Sequence, residues 1–431
     1  MMNKTEKNDN DAGVAKRLKN LIEAGHYLAD IESIGELFPR LLELAKGVTV
    51  AEASSLLLYN PERDVLVFQS IEDEVIGKNG ADLLKGAIEL QVGEGIAGWV
   101  AENRKSLIVP DAHRDKRFSN KADMRTGFHT RNILSVPLIY DQELLGVINT
   151  VNSKGKACFD LEDQEILESF SQLASVAIIR SRLLETRLKQ QKMEVQLSAA
   201  AKIQALFWPE LPALKAGSHV WAVSEPAAFV GGDVYDLIPM ADGSWVIYVA
   251  DVSDKGLPAA LIMAALWTRI RSEAPLYNLD MLVNEVNRSM YELMSEEGFF
   301  ATMIICRYWP LKGRLQLIRA GHLQPLWLRN DGLGLLPDLK GLSIGVKPDT
   351  SYEKNEIVLS PGESILFLTD GVTDAENEQA ELFGEKRVKK FVTNPDGPPV
   401  GKKLLEYVKT WQGKRSAADD LTMLEIWRDS P

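Results

Sequence analysis

The sequence predicts an α+β chain in which two folded regions are joined by a long helix. Three observations carry this. The chain has 431 residues, more than one core usually organises, so two domains of roughly 150 to 250 residues are expected. Short apolar strands run in tandem hairpins in both halves, which favours antiparallel sheets over a doubly wound parallel fold. Between them, about fifty residues from Phe159 to Phe207 contain neither Gly nor Pro, as a continuous helix requires.

In chain order, residues 1–17 are polar and rich in Asn, Asp and Lys, a disordered lead-in. A first domain is expected over 18–180. It opens with Leu and Ile at three- and four-residue steps, broken by Gly25, Gly35 and Pro39, which reads as two helices. "ASSLLLYNPERDVLVFQSI" and "ILSVPLIYDQELLGVINTVNS" each alternate around a polar turn and are hairpins. A helical linker is expected over 181–207. Leu184, Leu188 and Val195 fall on heptad steps with Gln191 between them, and the stripe is either a parallel dimer seam or a solvated face.

The second domain, 208–431, alternates strands such as "GSWVIYVADV", "FATMIICRYWP" and "SILFLTDGV" with helices near 257–273, 279–296, 384–392 and 400–411. No Gly-rich nucleotide loop of the GxxxxGK[ST] form is present. Two cysteines, Cys158 and Cys306, belong to no metal spacing and point to a reducing compartment. The net charge of -12 is spread without a basic block, which disfavours nucleic acid as a partner. Apolar runs are too short to span a membrane and the N-terminus lacks a signal-peptide core, so a cytoplasmic location without membrane contact is expected.

The chemistry lies in carboxylates at strand ends. Asp233 follows "FVGG", Asp251 ends "WVIYVA", Asp370 follows "SILFLT", and Asp419 with Asp420 opens "LTMLEIW". Singly, each reads as a cap, turn or solvated loop. Together they form a hard-oxygen donor set without a His or Cys cluster, which suits Mg²⁺ or Mn²⁺. Two such ions can activate a water for phosphoryl displacement.

In order, "FVGGDVYD" (229–236), "VADVSDKGLPAALIMA" (249–264), "FATMII" (300–305), "RAGHLQPLWL" (319–328), "FLTDGVTDAEN" (367–377) and "SAADDLTMLEI" (416–426) resemble the bacterial sporulation-type branch of the metal-dependent PPM serine/threonine protein phosphatases. The resemblance implies an α/β/β/α sandwich with two Mn²⁺ or Mg²⁺ ions between its sheets. It implies that Asp251 bridges both ions, that the Val252 carbonyl completes one, and that Asp370 and Asp419 hold the other. Asp233 is then a direct ligand or acts through water, and Gly231 and Gly232 permit close backbone approach. Asp233 and Asp251 are the implied catalytic pair. Asp254 stands where the family usually has Gly, and Leu323-Gln324 where it has Asn-Pro; Asp254 is expected to cap the following helix and His322 to be structural.

"GEGIAGWVAENRKSLIVPDAHRDKRF" (93–118), "TRNILSVPLIYDQELLGVINTVNS" (130–153) and "FDLEDQEILESFSQLASVAI" (159–178) resemble a GAF domain. That implies an antiparallel sheet with helices and a small-molecule or protein signal, with Trp99, Phe118 and Phe128 as pocket or core residues. The arrangement of GAF domain, helix and phosphatase resembles partner-switching regulators. It implies a homodimer acting on a phosphorylated STAS-type anti-sigma-factor antagonist. A non-catalytic GAF scaffold, or a two-metal nuclease or cyclic-nucleotide hydrolase, are the alternatives.

Overall fold

The computed structural model describes residues 33–73, 89–120, 128–337, 339–393 and 397–430, together with 25, 28, 31, 123 and 124. The chain divides into two compact units, Met1–Lys192 and Met193–Pro431. Among the described residues, no helix is long and apolar enough to cross a membrane.

The first unit is built on a six-stranded sheet. Its strands are β1 (Ala51–Asn60), β2 (Val65–Asp73), β3 (Glu89–Gln91), β4 (Leu107–Val109), β5 (Ile133–Tyr140) and β6 (Glu143–Ser153), in the order β3-β2-β1-β6-β5-β4 with antiparallel pairing throughout. β5 and β6 meet in a two-residue turn. Asp141 and Gln142 both take positive φ there, the geometry that matches the twist of a hairpin.

Helix α1 (Ile34–Val48) and the start of α3 (Leu161–Gln204) bury Leu37, Leu41, Leu42, Leu167 and Phe170 against one sheet face. Helix α2 (Gly95–Asn103) packs Ala97 and Val100 on the other. Gly35 and Pro39 do not break the chain as expected: both lie within α1. Pro39 is the sixth residue of α1 and lacks the N–H that would bond the Gly35 carbonyl, yet the helix continues through it to Val48. The other expected helix falls almost entirely outside the described residues.

Helix α3 runs unbroken from Leu161 to Gln204. Acidic residues in its first turn, Glu162 and Asp163, suit the positive end of the helix dipole. On its heptad stripe Leu188 is 50 % and Val195 70 % exposed, and Leu184 is half-buried.

The second unit places two five-stranded sheets face to face. One is ordered β14-β11-β10-β9-β8, from β8 (Val234–Pro239), β9 (Trp245–Val252), β10 (Ala301–Trp309), β11 (Arg314–Ala320) and β14 (Lys354–Val358). The other is ordered β13-β12-β15-β16-β7, from β7 (Ser218–Glu225), β12 (Leu326–Arg329), β13 (Gly332–Gly334), β15 (Ser364–Leu368) and β16 (Leu421–Arg428). Ile247, Val249, Ile304, Phe367, Leu424 and Ile426 fill the layer between them. Helices α4 (Leu257–Glu273) and α5 (Leu279–Met294) cover the first sheet, and α6 (Gly384–Val392) and α7 (Val400–Gln412) the second. This is the expected α/β/β/α sandwich.

The near-continuous apolar run of β9 follows from this layering. Val246, Tyr248 and Ala250 face the helices while Ile247 and Val249 face the opposite sheet, so both faces must be apolar.

Candidate metal centre

Register and alternation bring the first two aspartates together. Val234 of β8 lies opposite Ala250 of β9, and Tyr235 opposite Val249, so one further step along the register sets Asp233 opposite Asp251. Side chains alternate faces along a strand. Tyr235, Leu237, Ile247 and Val249 all point between the sheets, and Asp233 and Asp251 follow in step. From the facing sheet, Ile365 and Phe367 of β15 and Leu424 and Ile426 of β16 share that layer, and Thr369 and Thr422 continue it. Thr369 Oγ1 donates to Asp233 Oδ2 at 2.8 Å, and the Thr422 N–H donates to Thr369 Oγ1 at 2.9 Å. Asp233 is thus held from the opposite sheet.

Asp370 opens a short turn directly after Thr369, and its carbonyl accepts the Asp374 N–H at 2.8 Å. Asp419 and Asp420 precede β16 and divide their roles. The buried Asp420 carboxylate accepts from the backbone N–H groups of Ala227, at 2.8 Å, and Gly232, at 2.7 Å, fixing the loop that leads into Asp233. Asp419 lies at the surface with Lys255 Nζ 3.0 Å from its Oδ2. Close approach explains one glycine here: a Cβ on Gly232 would stand 2.8 Å from the Val252 carbonyl oxygen. A Cβ on Gly231 would collide with the Asp420 carboxylate.

The carboxylates repel one another at a place that ranges from buried, at Asp233 and Asp420, through half-buried, at Asp251 and Asp419, to exposed, at Asp370. Burial first, and then the fields of Asp370, Asp419 and Asp420, push Asp251 up to about 7. Burial and the Asp251 charge raise Asp233 well above the carboxylate range. Asp370 is raised by burial, Asp419 and Asp374. Lys255, more than half exposed, is too well screened to offset this. Among the described residues, the one trio of side chains with all donor atoms within 4.8 Å of one another lies elsewhere, at His113, Asp123 and His129. No three of the aspartates meet that spacing, although Asp233 lies within hydrogen-bond reach of Asp251. As an all-oxygen anionic set they fit Mg²⁺ or Mn²⁺ by donor chemistry.

Two neighbouring residues complete the picture. Asp254 does not cap the next helix: that position is Gly256, and α4 begins at Leu257. Asp254 instead has φ +73° and accepts the Lys255 N–H on its own side chain at 2.9 Å. Asp tolerates the left-handed region through such local bonds, which also accounts for glycine being the more usual residue there. His322 is buried, its Nδ1 2.7 Å from Thr302 Oγ1, and burial lowers its pKa to about 4. Burial thus disfavours its doubly protonated, cationic form.

Thr369, Thr422 and Lys255 are not singled out in the sequence, whereas Asp420 is read there with Asp419 as part of the donor set. The alternation of β15 and β16 signals the two threonines once both strands are known to face the site. Cys306 is fully buried in β10 and burial raises its pKa, so it offers no thiolate nucleophile.

The family model for Stage II sporulation protein E (SpoIIE) matches residues 241–429, and the GAF domain model matches residues 32–179. Protein IcfG of Synechocystis sp. is 26% identical over 279 residues, covering 57% of this chain and 44% of that one. Phosphoserine phosphatase RsbU of Bacillus subtilis is 30% identical over 198 residues, covering 45% of this chain and 58% of that one. The solved SiaA-PP2C domain of Pseudomonas aeruginosa aligns with a TM-score of 0.48 at 22% identity, over 56% of this chain and 98% of that one. The chain spans less than half the length of IcfG and under two thirds of RsbU. Residues 32–179 thus match a GAF domain, and residues 241–429 match the Stage II sporulation protein E family model.

Proposed function

We propose that this protein is a metal-dependent phosphoserine/phosphothreonine protein phosphatase under the control of its GAF domain. The observation that carries the reading is the convergence of Asp233, Asp251, Asp370 and Asp419 from four strand ends of two facing sheets, with Asp251 pushed up to about 7 by burial and its neighbours. So costly a cluster is hard to account for without cations to complete it.

In this reading Asp233, Asp251, the Val252 carbonyl, Asp370 and Asp419 would hold Mn²⁺ or Mg²⁺. Bound there, the ions supply neutralisation of the phosphoryl oxygens and acidification of water. Thr369 and Asp420 keep Asp233 and its loop at the right separation, and Lys255 adds positive charge at the rim, where an incoming phosphate arrives. The leaving serine or threonine takes its proton from solvent in the site, since burial disfavours the cationic form of His322 that would act as an acid.

The substrate class is a phosphorylated protein. RsbU is by name a phosphoserine phosphatase, and a phosphorylated STAS-type anti-sigma-factor antagonist in the cytoplasm is the partner we infer. On the α3 stripe Leu188 and Val195 are exposed and Leu184 is half-buried, and this apolar exposure supports self-association as a parallel dimer.

Release of phosphate from phosphoserine protein with Mn²⁺ present tests the activity. Wild-type turnover that persists in Asp251→Asn would remove the aspartate cluster from the reaction. Sedimentation of Leu188→Glu tests the dimer: the variant should be monomeric where the parent is not.

A further inference from the structure

We propose that His113, Asp123 and His129 form a binding site for one divalent transition-metal ion of the Zn²⁺ class in the GAF domain. One imidazole or carboxylate donor atom from each residue lies within 4.8 Å of the other two. Bonds of about 2.0 to 2.2 Å put tetrahedral donors about 3.4 Å apart, so small side-chain rotations close the set around an ion. The two imidazoles already stack, with centroids 5.0 Å apart and planes 23° apart.

Each ligand is held by a partner that the ion does not need. Asp123 Oδ1 accepts the Thr130 hydroxyl at 2.7 Å and Oδ2 accepts the Thr130 N–H at 2.9 Å. A carboxylate has lone pairs for both bonds and for a metal. Thr130 itself is buried. The carbonyl of His129 accepts Asn152 Nδ2 at 2.9 Å. His113 follows Ala112, which is fully buried and donates its N–H to the Arg131 carbonyl at 2.7 Å. The Thr130 bonds to the Asp123 carboxylate are the kind of support that orients a metal ligand, while His113 and His129 are positioned through backbone bonds.

The donor set also selects its ion. Two imidazoles and one carboxylate suit Zn²⁺, Fe²⁺ and their neighbours and leave positions for water or a small ligand, whereas the aspartate cluster of the other unit suits Mg²⁺ and Mn²⁺. Asp123 and Thr130 line a cavity with Ser55, Phe68, Phe118 and Asn149, so an ion at this trio would form part of that cavity's wall. The GAF domain would then read metal, or a small molecule held by metal.

The test uses the full chain carrying Asp251→Asn, which weakens metal binding at the aspartate cluster. Equilibrium dialysis against Zn²⁺ should leave one tightly bound ion per chain with imidazole in its X-ray absorption spectrum. Adding His113→Ala and His129→Ala should weaken that binding at least about 100-fold, and Thr130→Val, which removes only the support of Asp123, about 10-fold. Both histidines are exposed, so the variants should keep the parent's circular dichroism. Zn²⁺ binding that is unchanged by the histidine substitutions overturns the proposal, as does Asp251→Asn protein that binds no Zn²⁺ at all.

Discussion

Gln204, in the last turn of α3, exchanges two hydrogen bonds with the backbone of Gly231. Its Nε2 donates to the Gly231 carbonyl at 2.6 Å, and the Gly231 N–H donates to its Oε1 at 3.1 Å. Gln204 is 4 % exposed, and Gly231 stands two residues before Asp233. The end of the long helix is therefore fastened to the loop that delivers one of the aspartates.

Replacing Gln204 by Leu should uncouple the two. It leaves a buried N–H and carbonyl unsatisfied at a cost of about 1 to 3 kcal/mol, concentrated in the 226–232 loop. The expected result is a higher Mn²⁺ concentration for half-maximal phosphatase activity with the fold retained. Metal titration of activity, alongside a thermal melt, checks it.

Asp251→Asn should move activity and stability in opposite directions. Activity should fall by at least about 100-fold, as expected for loss of a metal ligand. In metal-free protein at pH 8, however, the substitution removes a buried charge facing Asp370, Asp419 and Asp420. Its melting temperature should rise by roughly 2 °C or more, the effect of about 1 kcal/mol in a unit of this size. Calorimetry in EDTA reads this directly.

The same residue gives the metal-free protein a pH profile. Asp251 moves from 3.8 unfolded to about 7 folded, so between those values the folded chain keeps a proton that the unfolded chain has lost. The stability from the protonated form is full below about pH 4 and is lost as pH rises through about 7. Asp233 and Asp370 shift in the same direction. Metal-free protein should therefore lose stability between pH 5 and pH 8, and Mn²⁺ should raise the melting temperature more at pH 8 than at pH 6, because ligands must be deprotonated to bind. An equal Mn²⁺ effect at both pH values would contradict the shift.

Asp254→Gly should leave activity intact, because glycine takes the +73° φ without strain. Asp254→Val should destabilise by about 1 to 3 kcal/mol, since a β-branched residue is a poor occupant of that region. Urea denaturation of the pair separates backbone strain from any role for the carboxylate.

Much of the centre was legible because strands have a period of two. Once "WVIYVAD" and "GGDVYDL" are recognised as neighbours, Asp233 and Asp251 must share a face, and the apolar run of β9 announces cover on both sides. What could not be read were contacts made across the sandwich. That Thr369 holds Asp233, that Asp420 rather than Asp419 turns inward to the loop, and that Gln204 reaches Gly231 depend on how sheets and helix end are stacked, and no local pattern encodes it. Asp254 misled for a different reason: Asp before an apolar helix has the composition of a cap, and only its backbone angle assigns it to a turn. Pro39 likewise has the composition of a break, but α1 continues through it to Val48.

Strand β9 is walled on both faces, and it holds Asp251 at its end while Asp233 and Asp419 hang from loops. Amide exchange should follow that division: the protons of Val246 to Ala250 should trade with solvent only on global opening, and those of residues 226–232 and 416–419 far sooner. Mild denaturant should then silence the enzyme by scattering its periphery while the central rod is still intact.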